Sequence, residues 1–301
     1  APITRSGIYV QDLIHFSDKW KLLTGIRYSY QDTQSDVYTY SNQTTVNTTN
    51  YDGAFSPRVG LIFKPSNNHS LFASYSNSFD VNTGQDDNGK ALKPSIVDQY
   101  EIGIKNKLFD ERIHLNVTAY QITNDAFYQQ SLANGNTYSY VKVLAGEVRS
   151  QGVEIDLISN PFEGLSILAG YSFNETKFTD SDYYIPGSLL RYNPKNTANL
   201  NANYSFKGKL NGLEIGVINS YVGERYAGRS TRTQVANDSR KLIFINDFYQ
   251  MDATVAYTYK KLSIRTKLSN VFNELSYNVH DDNSLNPIAP RNYSVALNYT
   301  F

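Results

Sequence analysis

The chain ends on Arg291-Asn292-Tyr293-Ser294-Val295-Ala296-Leu297-Asn298-Tyr299-Thr300-Phe301. Taken alternately, Tyr293, Val295, Leu297, Tyr299 and Phe301 form an apolar row, and Asn292, Ser294, Ala296, Asn298 and Thr300 a small, polar one. Successive side chains of a strand point to opposite faces, so strict alternation is the period of a strand. An apolar outer row, a small polar inner row and a terminal aromatic suit the closing strand of a barrel in lipid. An amphipathic strand of a soluble sandwich fits this segment equally well. The decision rests with the rest of the chain.

Working back from that strand, the pattern repeats. Alternation predicts strands at 6–16, 20–30, 54–64, 69–79, 98–108, 112–123, 151–159, 165–178, 196–206, 212–226, 249–259, 262–270 and 291–301. The row Ala198, Leu200, Ala202, Tyr204, Phe206 stands opposite Asn199, Asn201, Asn203, Ser205, and a wet interior explains three asparagines in line. Short turns such as Ser17-Asp18-Lys19, Phe109-Asp110-Glu111 and Lys260-Lys261 alternate with long polar segments at 31–53, 80–94, 124–149, 179–191, 227–246 and 271–290. About thirteen strands joined this way form an up-and-down antiparallel meander, its long loops at one end and its tight turns at the other. Sandwiches use Greek-key connections, and a propeller would show a repeat of roughly 40 residues that is missing here. The fold expected is therefore all-β, a transmembrane antiparallel up-and-down β-barrel.

Composition narrows the function classes. No apolar run approaches the roughly 18 residues of a membrane helix, but polar lumen residues dilute the hydropathy of a membrane barrel. The formal net charge is zero, which argues against nucleic acid as a partner. Cysteine is absent, and with it disulfides and thiol chemistry. Tyrosine is abundant at 25 residues, supplying rings with an apolar body and a polar tip. Lipid offers the backbone no hydrogen-bond partners, so the sheet must close, and single-chain bacterial barrels have even strand counts. An odd count opening abruptly at Ala1-Pro2 leads to the expectation of a C-terminal fragment whose first strands lie upstream.

Several segments resemble the strand signatures of TonB-dependent outer-membrane receptors, in order and over nearly the whole chain. They are Ser6-Gly7-Ile8-Tyr9-Val10-Gln11-Asp12 with Thr24-Gly25-Ile26-Arg27-Tyr28, Phe55-Ser56-Pro57-Arg58-Val59-Gly60-Leu61, and Ser74-Tyr75-Ser76-Asn77-Ser78-Phe79. Pro94 with Tyr100-Glu101-Ile102-Gly103-Ile104-Lys105, Gly152-Val153-Glu154-Ile155, Asn193-Pro194-Lys195-Asn196 and Ser269-Asn270-Val271-Phe272-Asn273 follow. The opening pair and Pro57-Arg58 resemble the siderophore-receptor branch. The resemblance implies a barrel of about 22 strands around an N-terminal plug, energised by TonB. Plug and first strands are not in this sequence, so 1–301 reads as the C-terminal part of the barrel. It also implies uptake of a ferric siderophore, with iron carried as cargo and no cofactor. The setting implied is a Gram-negative outer membrane, long loops outside and C-terminus in the periplasm. The partners implied are TonB, outer-membrane lipid and lipopolysaccharide, and the barrel-assembly machinery acting on the terminal strand. Alternatives are a passive channel or surface-binding barrel, or import of cobalamin or a glycan.

A bulky chelate needs an aromatic and basic cup at the mouth. Candidates in the long loops are Tyr138, Tyr140, Tyr183, Tyr184, Arg191, Tyr226, Arg229 and Arg232, with Arg240 and Lys241 beside them. Tyrosine packs and donates a hydrogen bond, and arginine pairs with carboxylates. The same residues would also serve an interfacial girdle or lipopolysaccharide. Arg27, Arg58, Glu101, Lys105, Glu154, Asp156, Asp252, Arg265 and Lys267 fall on polar rows, where both signs predict ion pairs within the wall. Catalysis is not expected: His15, His69, His114 and His280 have no metal-ligand spacing, and no catalytic triad stands out. The pairs Asp86-Asp87 and Asp281-Asp282 read as solvated loop charge.

Overall fold

In the computed structural model the described residues are 3–40, 43–80, 85–89, 92–131, 141–181, 184–190, 192–227, 243–279 and 284–301, with backbone alone at 33, 35–37, 39, 46–48, 50 and 129. The strands run β1 (Ile3–His15), β2 (Trp20–Thr39), β3 (Thr44–Ser66), β4 (His69–Asp80), β5 (Ser95–Leu108), β6 (Ile113–Gln130), β7 (Lys142–Ser159), β8 (Leu165–Asp180) and β9 (Asn196–Ser205). They continue as β10 (Leu213–Val222), β11 (Arg225–Ala227), β12 (Ile243–Ile245), β13 (Phe248–Tyr259), β14 (Leu262–Ser269), β15 (Tyr277–Val279), β16 (Leu285–Pro287) and β17 (Asn292–Tyr299). Thirteen form one antiparallel sheet in which neighbours in space follow chain order, with β1 and β17 at its edges. The pairs β11–β12 and β15–β16 are separate small hairpins inside two of the long connections.

Register carries the sequence pattern across the sheet. Leu262, Ile264, Thr266 and Leu268 of β14 stand opposite Tyr299, Leu297, Val295 and Tyr293 of β17. On the other face Arg265 meets Ala296 and Lys267 meets Ser294. The apolar face stays uncovered: Ile8 is 71% exposed, Ile102 63% and Leu297 67%. In water such a surface would be unstable, whereas in lipid it is the solvated face.

Aromatic residues bracket this face in two rows. At the short-turn end Trp20 stacks on Phe63 with centroids 4.4 Å apart, and Tyr204 contacts Phe162 and Phe206. At the long-loop end Tyr28 meets Phe55, Tyr75 meets Tyr100 and Tyr249 meets Phe272. Trp20 and Tyr28 are eight residues apart on β2. That length is about 27 Å of strand, or about 20 Å of height at a tilt of about 40°, near the apolar thickness of an outer-membrane barrel. The tilt shows in the ladder. The directly paired inner residues Ile158, Leu168, Asn201, Ile218 and Asp252 begin at the short-turn end of β7 and finish near the long-loop end of β13.

Strand starts and stops at the short turns agree with the sequence pattern, but at the other end the strands run further. The threonine- and asparagine-rich stretch 31–53 continues the β2–β3 ladder to Thr39 opposite Thr44. Likewise β6 and β7 extend to Gln130 opposite Lys142 past shifts near Phe127. Threonine and valine favour the pleated surface, and each further pair adds backbone bonds to a ladder already nucleated. Conversely 212–226 is not one strand. It breaks at Gly223-Glu224, where the Gly223 N–H bonds the Asn196 carbonyl at 2.8 Å.

Candidate functional site: the inner wall and the mouth

The inner rows hold the charges anticipated from sequence, and one pair of them meets among the described residues. Lys267 pairs with Asp252 at 2.7 Å. Among the described residues Arg27, Arg58, Glu101, Lys105, Glu154, Asp156 and Arg265 have no ion-pair partner, which corrects the expected mutual pairing. Register supplies the reason, because each stands directly opposite neutral or weakly polar residues. Arg58 faces Ser76, Glu101 faces Ser74 and Tyr120, Lys105 faces Ser70 and Asn116, and Glu154 faces Thr118 and Ser172. Asp156 lies between Asn116 and Gly170, and Arg265 between Ala256 and Ala296. Glu101 accepts hydrogen bonds from Gln99 (2.6 Å) and Ser74 (3.3 Å). Arg27 donates to Ser29 at 2.9 Å.

Higher on the same face is a network of neutral groups that sequence reasoning did not single out. The Asn174 amide donates to Tyr120 Oη (2.6 Å) and Ser150 Oγ (2.7 Å). Thr176 donates to Asn174 Oδ1 (2.8 Å), and the Asn193 amide donates to Thr176 Oγ1 (2.9 Å) and to Asn174. The Tyr120 ring lies across Gly152, its direct partner in register. A Cβ at 152 would sit 2.1 Å from the Phe173 carbonyl oxygen and 2.8 Å from Tyr120 Oη, so glycine is required. Phe72 covers Gly103 in the same way, with ring atoms 2.6 Å from where a Cβ would be. Mid-strand glycine facing an aromatic on the neighbouring strand was the available signal.

The mouth has a small core of its own. Ala145, Val148, Phe178 and Tyr184 cluster with Phe127 and Leu190 packed against them. Tyr184 stacks on Phe178 at 3.8 Å and is 1% exposed, so this candidate ligand residue offers a ligand no surface. Tyr226 lies on β11 with its ring edge-on to Phe244 at 5.6 Å. It also lines a cavity of about 240 Å³ with Asn174, Thr176, Asn193 and Glu224. Beside it the Arg225 guanidinium is 5% exposed, sits over the Phe248 ring at 5.3 Å and donates to the carbonyls of Gly223, Asn246 and Tyr277. Burial lowers its pKa. It joins the β11–β12 hairpin to β15. Tyr138, Tyr140, Tyr183, Arg191, Arg229, Arg232, Arg240 and Lys241 lie outside the described residues, as do His280, Asp281 and Asp282.

At the top of β14, Asn270 anchors the last long connection. Its N–H donates to Asp252 at 2.8 Å, and its amide donates to the carbonyls of Glu274 (2.9 Å) and Ala289 (3.0 Å). No group of three or more histidine, aspartate or glutamate side chains lies together among the described residues. Asp86 accepts the Asn88 N–H at 2.9 Å, and Asp87 accepts Ser131 Oγ–H at 3.1 Å.

A family model described as TonB dependent receptor-like, beta-barrel, matches residues 2–273. The metal-pseudopaline receptor CntO of Pseudomonas aeruginosa is 30% identical over 228 residues, 75% of this chain and 32% of that receptor. The ferrioxamine receptor of Yersinia enterocolitica is 29% identical over 231 residues, 77% of this chain and 31% of that one. This chain thus spans about a third of the length of the curated relatives it matches. In shape it is similar to the ferripyoverdine receptor of the Pseudomonas aeruginosa outer membrane. The TM-score is 0.80 at 21% identity, over 99% of this chain and 38% of that one. An antiparallel meander of thirteen strands with an apolar outer face, two aromatic rows and a charged inner wall suits part of the wall of such a barrel, and the chain belongs to the TonB-dependent receptor-like β-barrel family of the outer membrane.

Proposed function

We propose that this chain is the C-terminal part of the wall of an outer-membrane receptor for a ferric siderophore. In this reading a plug domain elsewhere in the whole polypeptide fills a barrel of about 22 strands and couples it to TonB. The observation that carries the proposal is the family match joined to relatives named as receptors for metal-chelating compounds. Iron is cargo inside its chelate. The chelate meets Tyr226 at the mouth, with Tyr138, Tyr140, Tyr183, Arg191, Arg229 and Arg232 as further contacts from the long connections. Tyrosine rings pack on the chelate and arginines pair with its carboxylates. The long connections face outward from the cell, and Phe301 lies on the periplasmic side. Membrane lipid contacts the outer rows, and the barrel-assembly machinery engages Tyr293, Val295, Leu297, Tyr299 and Phe301.

A deletion strain supplied with a panel of radiolabelled ferric siderophores tests this. Loss of uptake for one of them, restored by the gene, is the expected result. Intact uptake of every siderophore tested overturns the cargo and moves the assignment to cobalamin or a glycan. Uptake that persists without TonB indicates a passive channel. The relative named for metal-pseudopaline favours a second reading, a metal chelate not restricted to iron, and the same panel loaded with other metals separates the two.

A further inference from the structure

The cations of the inner wall are not spread evenly. Arg58 of β3 stands opposite Gly25 of β2, Arg27 follows two residues further along β2, and Arg5 of β1 stands opposite Gln31. Lys21 lies on the same inner row of β2, four residues below Gly25. The four positions therefore climb from the lower aromatic row to above the upper one, over about 34 Å of strand. Arg5, Arg27 and Arg58 are exposed on the inner face, and Lys21 is half-buried. None of the four has an ion-pair partner among the described residues. Arg5 donates to Gln31 Oε1 at 2.6 Å, a neutral acceptor, as Ser29 is for Arg27. Two glycines let these side chains lie flat on the wall. A Cβ at Gly7 would meet Arg27 Nη2 at 2.7 Å, and one at Gly25 would meet Arg58 Cγ at 3.5 Å. The unpaired acids Glu101, Glu154 and Asp156 stand on β5 and β7, at least two strands away from β3. At about 4.8 Å per strand that is about 10 Å or more, beyond the Debye length of about 8 Å in physiological salt. Among the described residues the carboxylate on the inner rows of β1–β3 is Asp52, opposite Gln31 at the mouth end.

We propose that Arg5, Arg27, Arg58 and Lys21 form an anion-selective path along the β1–β3 sector of the lumen, for a metal chelate that carries free carboxylates or other anionic oxygens. The inference rests on the transport reading and adds the charge class of its cargo. An arginine fork takes a carboxylate through two parallel hydrogen bonds. Arg27 and Arg58 are one strand and two residues apart, about 8 Å, while Arg5 and Lys21 lie about 14 Å beyond them on either side. A ligand suited to a pocket of several hundred Å³ is about 8–10 Å across, so it meets Arg27 and Arg58 together and the other two cations singly. Passage needs sites that attract the ligand and also release it, and several moderate sites in line do both. Exposure to water keeps each contact moderate, because solvent and salt screen it. The low-dielectric wall behind the cations focuses their field into the lumen. Tyr9, opposite Arg27, and Gln11, opposite Gly25, supply neutral hydrogen-bonding groups between the charges.

The test uses the whole receptor in cells with energised TonB. Cysteine is absent from this sequence, so Ser56→Cys, opposite Arg27 and two residues from Arg58, adds a single thiol to it. Two methanethiosulfonates label that thiol, one bearing a sulfonate and one a trimethylammonium, each rate taken relative to the same reagent on a small free thiol. The sulfonate is expected to be favoured at least about tenfold by the two adjacent positive charges. Adding Arg27→Gln and Arg58→Gln should bring the two relative rates within about twofold of each other. Equal relative rates with both arginines present overturn the proposal, even if the double variant fails to fold, and are what arginines neutralised by plug carboxylates would give. No labelling by either reagent would mean a sealed sector and would also overturn it. The double variant with Ser56 intact should take up an anionic ferric siderophore at least about fivefold more slowly, with binding to chilled cells unchanged. Neutral methyl esters of that chelate should enter at the same rate through both receptors. An undiminished rate for the anionic form in a folded double variant overturns the proposal, as does an equal loss for both forms. Absence of uptake for every siderophore with the labelling preference intact would count against the transport reading and leave the charge selectivity of the wall standing.

Discussion

The membrane band and the mouth dispose of their apolar surface in opposite ways. Between the aromatic rows, Val117, Ile104 and Ile155 stand side by side on the outer face, half-buried only by their neighbours in the sheet. At the mouth, Phe178 and Tyr184 are withdrawn from solvent at 2% and 1% exposure. The first arrangement leaves the driving force to lipid, and the second is a small conventional core in water. Strand parity is enough to build the band. The mouth needs connections far apart in sequence to fold onto one another.

Six substitutions would break or sharpen that contrast. Phe178→Ala should have the largest effect, costing about 3–5 kcal/mol of local stability. Hydrogen exchange should accelerate at residues 145–148 and 184–190 while the barrel keeps its heat-modifiable mobility. Global unfolding would show that mouth and band are one cooperative unit. Val117→Arg, at mid-band and facing out, should cost about 2–4 kcal/mol in urea titrations of the barrel in vesicles. Thr118→Arg next to it faces in and should stay within about 1 kcal/mol. Equal costs for the two would refute the assigned parity. Gly152→Ala should cost about 1–3 kcal/mol, because its Cβ meets the Phe173 carbonyl at 2.1 Å. Gly60→Ala, whose nearest neighbour is 3.6 Å away, should be nearly neutral by the same measurement. Tyr120→Phe should be the mildest. It keeps the ring over Gly152 and loses the bond from Asn174, about 0.5–1.5 kcal/mol, read from the same titration.

Those pairs also mark what was readable in advance. Val117 and Thr118 were separable because a strand has period two, and a slip of one residue would expose every polar row to lipid. The short turns were readable because Ser17-Asp18-Lys19 or Lys260-Lys261 encode a local reversal. The reach of β2 and β3 was not, since 31–53 is as polar as a loop, and only its partner strand makes it a ladder. The mouth was less legible still. Tyr184 resembles any loop tyrosine until Phe178 is placed against it. Asn174 meets Tyr120 across 54 positions of sequence.

By itself, then, the sequence determined the thirteen strands of the main sheet, the parity of each, the end at which the long connections gather, and the family. All of these follow from patterns within about a dozen residues and from their order. The tertiary structure decided which charges on the inner wall lack partners, which tyrosine of the mouth is buried, and along which strands the inner cations line up. Each depends on register between strands, and register brings together side chains whose separation along the chain says nothing about their separation in space.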